Sequence, residues 1–176
     1  MKKLLMTAAI VCATVMAQAA TVNWSISNVK NSLGAAPTAG WAVMAFYTEV
    51  GAGSSAIENA IKAGTAASSA IESKTLSVAL GSGRIGAHDA TAASITDTSK
   101  NYDFYFVVFN NADASKATEY AMASALNVEY SSMAGKFSAS GNFKDATWQT
   151  AAIPEPTSGL LMLLGVAGLA LRRRRA

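Results

Sequence analysis

The stretch Thr118–Tyr130, TEYAMASALNVEY, decides the reading of the fold. Tyr120, Met122, Leu126, Val128 and Tyr130 fall on even positions, with Glu119, Asn127 and Glu129 on odd ones. A period of two puts the large apolar side chains on one face of a half-buried strand. Before it, Tyr102–Phe109 is nearly continuous in aromatics and Val, and Lys74–Leu80 alternates Leu76, Val78 and Leu80. Trp41–Thr48 is apolar on both faces, as an interior strand must be, and Thr21–Val29 aligns Val22, Trp24 and Ile26 on one face. After it, Phe137–Phe143 and Ala146–Thr150 supply short final strands. Only Ser54–Ala63 breaks the pattern. Ser55 and Glu58 have capping-box spacing, Ile57, Ala60 and Ile61 recur at helical spacing, and Gly64 is a stop, which predicts a short helix. The pentapeptide SSAIE occurs at Ser54–Glu58 and again at Ser68–Glu72, too short a repeat to indicate a solenoid. The expected fold is mainly β: an antiparallel β-sandwich with one short helix between its second and third strands.

The 176 residues suit a single domain with a modest core, because 37 of them are Ala, which buries little area. One Cys excludes a disulfide scaffold and a multi-Cys zinc site, and one His excludes any site needing two imidazoles. The ends carry a different signal. Lys2 and Lys3 precede an apolar run, Leu4–Met16, and Ala17-Gln18-Ala19 has the A-x-A pattern of a cleavage site. Residues 1–19 therefore read as a signal peptide cut by signal peptidase after Ala19, with Ala17 and Ala19 as the recognition residues. Cys12 lies within the apolar run after Val11 and reads as filler, since lipid attachment wants a small residue there. At the other end, Pro154-Glu155-Pro156 precedes an apolar run, Gly159–Leu171, and then Arg172, Arg173, Arg174 and Arg175. Thirteen helical residues span about 20 Å against the roughly 30 Å of a bilayer core. With Pro156–Ser158 added and the arginines snorkelling, the run becomes a thin transmembrane helix whose Arg side stays cytoplasmic. Export of the N-terminal side agrees with that topology.

This tripartite end resembles the PEP-CTERM sorting domain of Gram-negative bacteria, carried by Pro154, Glu155 and Pro156, the Gly- and Leu-rich run Gly159–Leu171 and the cluster Arg172–Arg175. The resemblance implies transient anchoring in the inner membrane. Processing near the Pro-Glu-Pro by an exosortase, a membrane cysteine transpeptidase-like enzyme, then leads to the cell surface or the exopolysaccharide matrix. The order of strands around the short helix is also loosely similar to small β-rich proteins carrying such tails. The expected organisation is a signal peptide over residues 1–19, a β domain over 20–140, a linker over 141–152 and the sorting segment over 153–176.

The ends also explain the charge. The whole chain is +3, yet residues 20–153 carry 8 basic and 10 acidic side chains, a net charge of −2. No basic patch remains to support nucleic-acid binding, which needs clustered Lys and Arg.

Candidate chemistry within the body is sparse. Gly81-Ser82-Gly83-Arg84-Ile85-Gly86 spells G-x-G-x-x-G after a strand. A dinucleotide site needs a following helix N-terminus, but Ala87–Thr98 has no stripe of large residues and Asp103 opens a strand, so a flexible loop is expected. His88-Asp89 lacks a Ser in a nucleophile elbow and reads as a solvated pair. Asn110, Asn111 and Asp113 offer oxygens for Ca²⁺ but lack the spacing of a calcium loop and fit a turn. Glu49, Glu58 and Glu72 would serve glycoside hydrolysis only if two of them converged. Trp24, Trp41 and Trp148, with Tyr47, Tyr102, Tyr105, Tyr120 and Tyr130, either fill the core or form a sugar-stacking face. The expected protein is a non-catalytic structural or adhesive β module, without cofactor or metal, exported to the surface or matrix. A carbohydrate-binding module with polysaccharide as partner is the first alternative, and a secreted hydrolase the second.

Overall fold

The computed structural model describes residues 19–151. Ten strands, β1 (Ala20–Val29), β2 (Ala42–Glu49), β3 (Glu72–Thr75), β4 (Ser77–Ala79), β5 (Ser82–Ala92), β6 (Tyr102–Phe109), β7 (Glu119–Val128), β8 (Tyr130–Ser131), β9 (Lys136–Asn142) and β10 (Trp148–Thr150), make two five-stranded sheets. One has the order β4-β5-β1-β9-β8, the other β10-β7-β6-β2-β3. Between β2 and β3 lie α1 (Ser55–Lys62) and the single turn α2 (Ala66–Ser69). The chain passes from one sheet to the other at buried Leu76, whose backbone bonds Trp41 and Gly40.

The mainly β expectation, with few helices, holds. The reason β2 and β6 are apolar on both faces is visible in the packing. Val43, Ala45, Phe104, Phe106 and Val108 face the core shared with β1, β5 and β9. Met44, Phe46, Tyr105, Val107 and Phe109 face the opposite way, where Ile57 and Ile61 of α1 cover them. All eight residues of β6 are buried. Trp24 of β1, fully buried, stacks on Phe106 of β6 across the sheets with ring centroids 5.6 Å apart.

The alternation that identified β7 does not sort its faces as expected. Ala121, Ala123 and Ala125 point into the shared core, while Tyr120 and Met122 turn toward the helix side and Leu126 is exposed. The space between the sheets is already filled by Phe104, Phe106 and Phe137, so β7 contributes small residues there. A bulge then changes the parity. Tyr102 and Phe104 pair with Val128 and Ala125, leaving an extra residue in β7, and Asn127 takes the left-handed conformation (φ 53) that returns Val128 to the core.

Other expectations are corrected. The sheets are not wholly antiparallel, because β1 pairs β9 in parallel, from Val22 opposite Phe137 to Ser27 opposite Asn142. The connection from β1 to β9 takes in β2 to β8 and passes between both sheets, so it is long enough for a parallel return. The loop expected after Leu80 is instead β5, an eleven-residue strand along β1. Its inward Ala90 and Ala92 leave room for bulkier residues of the core. The segment 141–152, read as a linker, belongs to the folded body through Ala151: β9 runs to Asn142, Phe143 and Ala151 are buried, and β10 pairs with β7. Helix α1 begins one residue earlier than its capping-box spacing suggested, and Ser54 donates its hydroxyl to Glu58 at 2.7 Å without capping a backbone N–H. The two copies of SSAIE fold differently, the first leading into α1 and the second straddling α2 and β3, so tertiary context overrides local sequence.

Candidate functional site

The strongest polar cluster in the body joins the two sheets. Glu72 opens β3 at the edge of one sheet, and His88 and Trp24 lie opposite each other on β5 and β1 of the other. The Glu72 carboxylate accepts from Trp24 Nε1 at 3.0 Å, meets His88 Nε2 at 2.7 Å, and pairs through its other oxygen with Lys74 Nζ at 2.9 Å. Burial alone would raise the carboxyl pKa, but the hydrogen bonds from Lys74, His88 and Trp24 outweigh it and hold Glu72 below its ordinary value. The imidazole also packs edge-on against Trp24 at 4.4 Å. His88 is therefore half-buried in a clamp, not solvated, and its neighbour Asp89 binds Asn23 and Lys136 on the outer side. A sequence signal existed only in hindsight, since Glu72 and His88 meet through a strand that the residue pattern did not disclose.

The remaining candidates separate into structural roles. Gly81–Gly86 forms the β4–β5 turn and runs into a strand, so no helix N-terminus follows it. Asn110 bonds Thr118 and Glu119 across the loop, and Asp113 accepts from the Ser115 N–H and hydroxyl, which lowers its pKa. These are turn bonds, and no group of three His, Cys, Asp or Glu suited to a metal occurs among the described residues. Glu49 lies near Lys100, Glu58 is bound by Ser54, and Glu72 belongs to the clamp, so the three acids are held by separate partners. Asp103, which the sequence reading passed over as a strand opener, is a buried acid. It accepts the backbone N–H groups of Asn127 at 2.7 Å and Gly51 at 3.1 Å, fixing the β7 bulge and the loop after β2. Of the aromatics, Trp24, Tyr102, Tyr105 and Tyr120 are buried, and Tyr47 and Tyr130 pack against the core. Trp41 and Trp148 are only half-buried, edge-to-face at 5.6 Å, and Trp148 lines an open groove.

Ala19 precedes β1, and Ala20 is buried with its N–H on the Ile95 carbonyl at 2.9 Å. Ala17, Pro154, Glu155, Pro156, the apolar run Gly159–Leu171 and Arg172–Arg175 lie outside the described residues. Among the described residues no helix is long and apolar enough to cross a membrane.

The two-sheet body is followed in the chain by a Pro-Glu-Pro, an apolar run and an Arg cluster. That segment is the PEP-CTERM protein-sorting motif, whose family model matches residues 152–175. The chain thus carries a PEP-CTERM sorting motif at its C-terminal end, and the motif implies export, handling by an exosortase-type enzyme, and a place at the cell surface or outside it. The match leaves the β body uncovered, and no curated protein and no solved structure matches the chain.

Proposed function

We propose that this protein is a non-catalytic structural or adhesive β-sandwich module of the cell surface or extracellular matrix. A signal peptide ending at Ala19 exports it, and the run Gly159–Leu171, oriented by Arg172–Arg175, holds it in the inner membrane until an exosortase-type enzyme acts at Pro154, Glu155 and Pro156. The observation that carries the reading is the sorting motif over residues 152–175. The two prolines favour an extended, accessible backbone around Glu155. The body supports a display role, since its most elaborate polar cluster, around Glu72, ties the sheets together.

The test is the intact mass, with both termini mapped, of the protein recovered from its host. A chain beginning at Ala20 and ending near Pro154 is expected. A chain still ending in Arg172–Ala176 refutes processing and makes the protein a membrane-anchored one.

A further inference from the structure

An open groove of about 440 Å³ lies where the segment after β1 faces the β9–β10 connection and the first residue of β7. Its lining includes Lys30, Asn31, Glu119, Phe143, Lys144 and Trp148. The volume is within the roughly 300–1,000 Å³ of small-molecule sites. Trp148 Nε1 donates to the Lys30 carbonyl at 3.0 Å, so the indole is fixed and its polar edge is satisfied inside the protein. What it offers to the groove is apolar ring surface. Both walls are pinned by their own side chains: Asn31 accepts from the Leu33 and Ala35 N–H groups, and Asn142 from the Lys144 N–H. A preformed wall lowers the ordering cost of binding.

The charges select among ligands. Lys74, Lys100, Lys116 and Lys136 each pair with an acid. Lys30, Lys62, Arg84 and Lys144 form no ion pair among the described residues, and of these Lys30 and Lys144 line this groove. An aromatic plate, a carboxylate that accepts hydroxyls and two free ammonium groups match a pyranose ring bearing a carboxylate. The ring C–H face packs on Trp148, its hydroxyls donate to Glu119, and its carboxylate takes Lys30 and Lys144. Single-stranded DNA is the competing anion, and it fits less well because its phosphodiester chain presents no free sugar hydroxyls for Glu119 to accept.

We propose that the Trp148 groove binds a uronic-acid unit of an acidic polysaccharide. The inference adds a ligand to the display role but does not depend on tail processing, so the two fail separately: one by binding, the other by terminus mapping. The experiment titrates the full chain, in mild detergent, with oligogalacturonate and follows tryptophan fluorescence and calorimetric heat. Dextran and single-stranded DNA serve as comparison ligands. Saturable binding of oligogalacturonate is expected, with dextran inert and DNA weaker. The exposed pair Lys30→Gln and Lys144→Gln, which leaves the core untouched, should weaken binding about tenfold or more. Trp148→Ala should abolish the fluorescence change. Absence of oligogalacturonate binding, equal binding of dextran, tighter binding of DNA, or an unchanged affinity in the double lysine variant each overturns the proposal.

Discussion

Gly141 of β9 points into the core, in line with Phe137 and Ala139. A Cβ added there would lie 2.6 Å from Cδ2 and 3.1 Å from Cγ of Phe106, and 3.3 Å from Cγ2 of Ile26. Favourable carbon–carbon contacts begin at about 3.5 Å. The ring has little room to retreat, being fully buried and stacked on an equally buried Trp24. Overpacking of this kind costs about 1–3 kcal/mol, against a gain of roughly 0.4–1 kcal/mol from stiffening the unfolded chain when Gly becomes Ala. Repulsion wins, and Gly141→Ala should destabilise the body by about 1–2 kcal/mol, a fall in Tm of roughly 3–10 °C. Gly86→Ala is the control. Its Cβ would meet nothing within 4 Å and its φ lies outside the left-handed region, so only the favourable term remains and Tm should hold or rise by a few degrees. Thermal melts of both variants by circular dichroism decide the matter. If Gly141→Ala melts at or above wild type, or if Gly86→Ala falls as far, the close packing assigned to this part of the core is wrong.

Glu72→Gln keeps the shape but weakens three charge-assisted bonds, and should cost about 1–3 kcal/mol in chemical denaturation. Because the Glu72 carboxyl titrates below its ordinary value in the folded chain, its contribution is complete above the unfolded pKa near 4.5 and is lost as pH falls through the folded one. Wild type should therefore lose more Tm than Glu72→Gln between pH 7 and pH 3; equal losses would show that the clamp does not titrate as argued. Asp103→Ala strands the N–H groups of Asn127 and Gly51 and should cost about 1–3 kcal/mol, with hydrogen exchange at those two amides rising first. Asn127→Val forces a β-branched residue to a φ of 53° and should destabilise, whereas Asn127→Gly should be close to neutral; the reverse order in urea melts would refute the bulge geometry.

What the sequence disclosed follows from how each feature is encoded. The strands β2 and β6 were legible because burial on both faces writes itself as an unbroken apolar run. Helix α1 was legible from Ile57 and Ile61, the two residues that cap the outer face of β2. The sorting motif is contiguous, so it could be read without any fold. By contrast β5, SGRIGAHDATA, holds only Ile85 and Thr91 as strand-favouring residues among Gly, Ala, Ser, Arg, His and Asp, and its pairing with β1 imposes the extended form. The inward face of β7 was misassigned because Ala there answers the bulk of Phe104, Phe106 and Phe137, a complementarity that no single strand contains. The Glu72 clamp and the Trp148 groove each assemble from segments far apart in the chain, so neither leaves a local pattern.

Ala151 is buried and its N–H bonds the Thr118 carbonyl at 2.8 Å, next to the last strand of its sheet. Only two residues separate it from Pro154, and three peptide steps reach at most about 10 Å. On the proposed reading, an enzyme that acts at the Pro-Glu-Pro has to work close against folded protein, within reach of the surface around β10. Any attachment made through that point gives the module no stalk. It would sit flush on its support with a fixed end down, and neighbouring copies would be spaced by the width of the body itself and not by the reach of a tether.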